Sequence, residues 1–126
     1  MTENDISGKV LDLSIKIHKT LGPGLLEHVY EECLCYELDQ EGFSYERQKP
    51  IPIKYKGIEI GDAYRADIVI ENKVIVELKS VQKIEDVHHA QLMTYLRLSS
   101  LKLGLLINFG SHRIADGGFV RVVNGL

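Results

Sequence analysis

Asp67-Ile68-Val69-Ile70-Glu71-Asn72-Lys73-Val74-Ile75-Val76-Glu77-Leu78-Lys79 is two β-branched runs around a polar turn, and each run carries acids where a buried strand should be apolar. Such runs predict a hairpin of two strands. An ionised carboxylate in a low-dielectric interior is costly unless something positive pairs with it. If Asp67 and Glu77 share one neighbourhood with Lys79, a divalent cation would satisfy both acids. An ordinary strand with its charges at the rim, Glu77 and Lys79 forming a surface pair, is the competing explanation.

Turn length decides whether the acids meet, because side chains alternate faces along a strand and a one-residue slip moves every one to the other side. A two-residue turn at Glu71-Asn72 pairs Asp67 with Val76 and sends Glu77 to the opposite face. A three-residue loop, Glu71-Asn72-Lys73, pairs Ile70 with Val74 and sets Asp67 opposite Glu77, with Lys79 on the same face. The second register is the expectation, although it asks Lys73 to take a left-handed position that Gly or Asn would fill more easily. In that register Ile68, Ile70, Val74, Val76 and Leu78 form one apolar face, and Val69 and Ile75 join the acids on the other. Both faces are then covered.

Upstream, Gly22-Pro23-Gly24-Leu25-Leu26-Glu27-His28-Val29-Tyr30 breaks one helix and opens another with an acid in its first turn. Downstream, Gln91-Leu92-Met93-Thr94-Tyr95-Leu96 lies on a third helix. As a set, Glu27, Asp67, Glu77-Leu78-Lys79 and Gln91-x-x-x-Tyr95 resemble the PD-(D/E)XK nuclease superfamily. Gly24-x-x-Glu27-x-x-Tyr30 is similar to the motif that names the small GxxExxY proteins within it. The resemblance runs from about Leu21 to Gly110 and includes Leu105 to Gly110 as the strand after the Gln91 helix. Ala66 stands where the superfamily's name has Pro, a position that carries no ligand.

The resemblance implies an α/β fold with a restriction-endonuclease-like central mixed sheet flanked by helices, in the order α-α-β-β-β-α-β-β. It further implies a Mg2+-dependent nuclease acting on DNA, with Mn2+ as a substitute ion. Asp67, Glu77 and the Leu78 carbonyl would hold the metal. Lys79 would orient or deprotonate the attacking water, although as an ammonium it can act as a base only if burial lowers its pKa. Glu27 would complete the acidic cluster, Gln91 would orient Lys79 or a phosphate, and Gln91 with Tyr95 would face the substrate. Taken as residues alone, Glu27 fits the helix dipole, Gln91 could tie buried backbone, and Tyr95 and Tyr30 are core aromatics. The rival function is a non-catalytic binding or assembly module on the same scaffold. That rival has no evident physical need for an acid pair in an apolar hairpin.

Composition agrees with one compact domain over residues 1–126: 44% hydrophobic and 26% charged residues is ordinary for a globular chain of this length. No apolar run approaches the span of a bilayer, and the start has neither the basic nor the apolar region of a signal peptide. A cytoplasmic protein without a membrane is expected. Cys33 and Cys35 are too close for a Cys-x-x-Cys zinc pair and are packing residues, while adjacent His88 and His89 diverge on a helix. The net charge of −3 argues against an indiscriminate nucleic-acid binder. The charges are nevertheless segregated: Glu31, Glu32, Glu37, Asp39 and Glu41 crowd the second helix, and Lys79, Lys83, Arg97, Lys102, Arg113 and Arg121 make the second half basic.

Ile6, Val10, Leu13, Ile17 and Leu21 follow helical spacing, with Asp5 or Ser7 as cap. A second helix from about Leu25 to Glu41 should pack Leu26, Val29, Tyr30, Cys33 and Leu38. Strands are expected at 51–55, 58–70 with a kink near Gly61-Asp62, and 74–81, the first at a sheet edge because of Pro50 and Pro52. The third helix, Asp86 to Leu98, is apolar most of the way round, which implies burial on two sides or a homodimer. Strands at 103–109 and 119–123 close the chain.

Overall fold

The structure, a computed structural model, describes residues 1–126, with the side chain of Asp62 outside the description. Two helices, α1 (Glu3–Leu21) and α2 (Glu27–Gln40), precede β1 (Tyr45–Tyr55), β2 (Ile58–Ile70) and β3 (Val74–Lys79); α3 (Asp86–Ser99) then leads to β4 (Leu103–Asn108) and β5 (Phe119–Val123). The five strands form one sheet in sequence order. Neighbours are antiparallel except β3 and β4, which α3 connects in parallel. This is the expected α/β order with a mixed sheet.

The hairpin takes the register that brings the acids together: Ile70 pairs with Val74, Val69 with Ile75 and Ile68 with Val76. The left-handed positions fall on Glu71 and Asn72, at φ 52 and 53, and Lys73 is spared. Lys73 instead donates its N–H to the Ile70 carbonyl at 2.9 Å and closes the turn. Ile68, Ile70, Val74, Val76 and Leu78 pack beneath α1 and α2, whereas Val69 and Ile75 pack against Leu92, Tyr95 and Leu96 of α3. Gly104 makes that second layer close. A Cβ there would lie 2.7 Å from Leu92 of α3.

Several elements depart from the expectations. The cap of α1 is Thr2, which accepts the Asp5 N–H while the Asp5 carboxylate accepts the Thr2 N–H, so the helix starts before both proposed caps. Leu21 is exposed. In α2 the buried face is Tyr30, Glu31, Leu34, Cys35 and Leu38; Leu26 is 70% exposed and Cys33 only half-buried. Strand β1 is the predicted edge strand but begins six residues early, at Tyr45, and β3 ends at Lys79. Its register against β2 shifts between Ile51↔Tyr64 and Ile53↔Ile60, beside the expected kink. Helix α3 buries Leu92, Tyr95 and Leu96 on one side and leaves Val87 and Leu98 exposed. No helix is long and apolar enough to cross a membrane among the described residues.

Candidate functional site

At Ile68 and Val76 the β2–β3 ladder stops, and two side chains take over its hydrogen bonds. The Asp67 N–H donates to Glu77 Oε2 at 2.8 Å, and the Leu78 N–H donates to Asp67 Oδ2 at 2.8 Å. Each carboxylate thus satisfies a backbone donor of the other strand, a bond of the stronger, charge-assisted kind. The N–H and C=O of a strand residue project to the same side, so the Leu78 carbonyl also points toward β2. Glu77 lies beside Leu106 of β4, one of the residues packed with α3, which puts the acid on the α3 face.

The two acids are electrostatically strained. Glu77 is 5% exposed; burial first, and then the neighbouring Asp67 charge, push its carboxyl up to about 8, with Glu27 adding a smaller push. Burial also raises Asp67, against the lowering effect of the Leu78 N–H and Gln48. The charge of half-buried Lys79 lowers both. Tyr95 is 3% exposed, and its phenol is pushed up to about 12 by burial, then by the charges of Glu77, Tyr64 and Asp67. Its ring stands 6.0 Å from that of Tyr64.

A buried carboxylate, Glu77, and a half-buried one, Asp67, both raised in pKa, form with the adjacent carbonyl a hard-oxygen donor set, the type that Mg2+ accepts. The residues present fit a divalent cation. Among the described residues no three His, Cys, Asp or Glu side chains converge to hold one ion, so Glu27 and Glu31 stand outside the Asp67–Glu77 pair. Glu27 is the first residue of α2 and is exposed. Gln91, half-buried one turn before Tyr95 on α3, has no hydrogen bond to Asp67, Glu77 or Lys79 among the described residues.

Tyr30 holds the turn that leads into Glu27. Its hydroxyl donates to the Gly22 carbonyl at 2.6 Å and accepts the Leu25 N–H at 3.1 Å, and its ring stacks on Phe109 at 4.3 Å. The turn it clasps needs Gly24, whose φ is 100. The Leu25 carbonyl in turn accepts from Ser80 Oγ, one residue past Lys79. Gly24 and Tyr30 are therefore a backbone turn and the pin that holds it, just before Glu27 opens α2. On the other side Asn108 clasps Val81, donating to its carbonyl at 2.9 Å and accepting its N–H at 3.0 Å.

Sequence reasoning missed Gln48 and Glu31. Gln48 donates to Glu31 Oε1 at 2.7 Å and to Asp67 Oδ1 at 3.3 Å, and Arg47 forks onto Glu31 and Glu32 at 2.6–3.1 Å. Gln48 has φ 50, a left-handed backbone that costs a non-glycine residue roughly 1–3 kcal/mol and clusters at functional sites. Glu31 is 7% exposed. Its position four residues after Glu27, on the same helix face, was the available signal. Of the two histidines singled out, His88 is spent on capping α3: its Nδ1 accepts the Glu85 N–H.

The family model described as the PD-(D/E)XK nuclease superfamily matches residues 4–122. No curated protein matches the chain.

Proposed function

Because the chain belongs to the PD-(D/E)XK nuclease superfamily, we propose that it is a Mg2+-dependent nuclease that hydrolyses phosphodiester bonds of DNA, built as one domain over residues 1–126. The observation that carries this reading is the interlocked Asp67–Glu77 pair: a half-buried and a buried acid, both raised in pKa, at the point where the sheet ladder opens. Asp67, Glu77 and the Leu78 carbonyl are the ligands, and Mn2+ can take the place of Mg2+. A divalent cation held there supplies charge neutralisation on the phosphate and eases deprotonation of an attacking water.

The chain's own residues do the rest. Lys79, whose charge is felt by both acids, positions the attacking water and stabilises charge developing on the phosphate. Tyr95 and Gln91, one turn apart on α3, bound the substrate side. Glu27, which follows the turn held by Tyr30, adds negative charge near Glu77, and Gln48 holds Asp67 in the orientation that receives the Leu78 N–H. The clasped Gly24–Glu27–Tyr30 turn supports placing the chain among the GxxExxY proteins. Purified protein incubated with single- and double-stranded DNA and RNA, with and without Mg2+ or Mn2+, tests the proposal. The expected result is metal-dependent DNA cleavage that Glu77→Ala abolishes. No cleavage with any substrate would leave a binding module in its place, and metal-independent cleavage would refute the Asp67–Glu77 metal site.

A further inference from the structure

The chain after β4 turns back toward the end of α1, and the two walls enclose a cleft of about 840 Å3 lined by His18, Lys19, Gly22, Pro23, His112 and Arg113, among others. Lys19 and Arg113 are exposed permanent cations, and among the described residues neither enters an ion pair. His18 is only 9% exposed, yet its Nε2 has no hydrogen-bond partner among the described residues; nor has Ser14 Oγ one turn earlier. A buried polar atom left unmade costs about 1–3 kcal/mol. One carboxylate, Asp116, also lines the cleft. Two cations against one acid leave this pocket net positive on a chain whose net charge is −3.

The walls of the cleft are tied by hydrogen bonds to the end of the strand that carries Lys79. Phe109, whose ring lies 6.3 Å from that of His18, donates its N–H to the Lys79 carbonyl at 2.9 Å. Past Pro23 the Leu25 carbonyl is bound by Ser80. A second cleft, of about 410 Å3, shares His112 and Asp116 and adds Lys83 and His89, which extends the basic tract toward α3.

We propose that the His18–Lys19–His112–Arg113 cleft seats a phosphate group of the nucleic-acid strand whose scissile linkage lies at Asp67 and Glu77. The inference rests on the nuclease reading for its choice of ligand. A guanidinium fork beside an ammonium suits a phosphate's several oxygens.

Anisotropy titrations test it, using 3′-labelled DNA oligonucleotides, single- and double-stranded, with metal withheld so that nothing is cleaved. They compare the whole wild-type chain, Lys19→Gln/Arg113→Gln, and a matched loss of two charges at the opposite end of the sheet, Lys73→Gln/Lys102→Gln. The cleft variant should bind roughly tenfold more weakly or worse, with the slope of log Kd against log salt shallower by about 1 per lost cation. The matched variant should keep most of the wild-type affinity. Oligonucleotides with a 5′-phosphate or a 5′-hydroxyl separate a strand end from an internal linkage. A preference for the phosphate that vanishes in the cleft variant identifies the end, and equal weakening of both identifies the internal linkage.

Unchanged affinity and slope in the cleft variant, equal weakening in the matched variant, or no binding by the wild type overturns the inference. If binding is lost as expected while no metal supports cleavage, the nuclease reading fails and the phosphate site stands.

Discussion

Glu77→Gln removes a charge and keeps an acceptor oxygen for the Asp67 N–H, so it isolates what ionisation does to stability. In the folded protein Glu77 holds its proton up to about 8, against 4.5 in an ordinary setting. Between those values the folded state binds a proton that the unfolded state has released, so metal-free stability must fall as pH rises. The full effect is present below 4.5 and is lost as pH passes through 8. At about 1.4 kcal/mol per pH unit, the span is worth on the order of 5 kcal/mol. Metal-free urea denaturation from pH 5 to 8.5 should show the wild type losing stability steeply while Glu77→Gln stays much flatter. The variant should be the more stable protein at pH 8, although it has lost a site residue. Mg2+ or Mn2+ should then rescue the wild type by about 2.7 kcal/mol at 100 times Kd and do little for the variant. Parallel pH profiles for the two proteins would refute the reasoning, since they would mean that Glu77 is ionised without penalty in the fold.

Lys79→Ala should keep the metal-induced rise in melting temperature while cleavage drops about 100-fold or more, as followed by calorimetry beside a cleavage assay. Tyr30→Phe leaves the Gly22 carbonyl and Leu25 N–H without their clasp and should cost about 1–3 kcal/mol in denaturant unfolding, with a further loss of cleavage because the turn before Glu27 is no longer held. Gly104→Ala places a methyl 2.7 Å from Leu92; overpacking of this kind costs about 1–3 kcal/mol. It should also push α3, with Tyr95 and Gln91, away from the acids, so cleavage should fall more than metal-induced stabilisation.

The hairpin was legible because alternation is a strict rule: one choice of turn length fixed the faces of Asp67, Glu77 and every apolar neighbour. Even there the strain went to Glu71 and Asn72, since the closing Lys73–Ile70 bond depends on coordinates that a pattern does not contain. Helix α2 was harder. Its apolar residues are spread around the axis, so several phases fit, and Leu34 and Cys35 rather than Leu26 and Cys33 turned inward. The start of β1 was invisible because Glu46, Arg47, Gln48 and Lys49 look like a loop. They are strand residues at a sheet edge, where Arg47 and Gln48 spend their polarity on Glu31 and Asp67. Such partners lie far apart in the chain, and no local periodicity announces them. Asn108 likewise passed as an ordinary strand residue until Val81 was seen to be its partner.

The exchange of backbone donors between Asp67 and Glu77 changes what their presence signifies in a lineage. Each oxygen holds the opposite strand in place, so deleting either side chain damages the fold before any question of chemistry arises. A descendant that abandoned hydrolysis would still be selected to keep an acceptor at both positions. It would be free to let Asp drift to Asn and Glu to Gln, and on the reasoning above it would gain stability at neutral pH by doing so. Retention of an oxygen at these two places is thus the mark of the architecture. Retention of the negative charge, which weakens the empty protein, is what only a bound cation can favour.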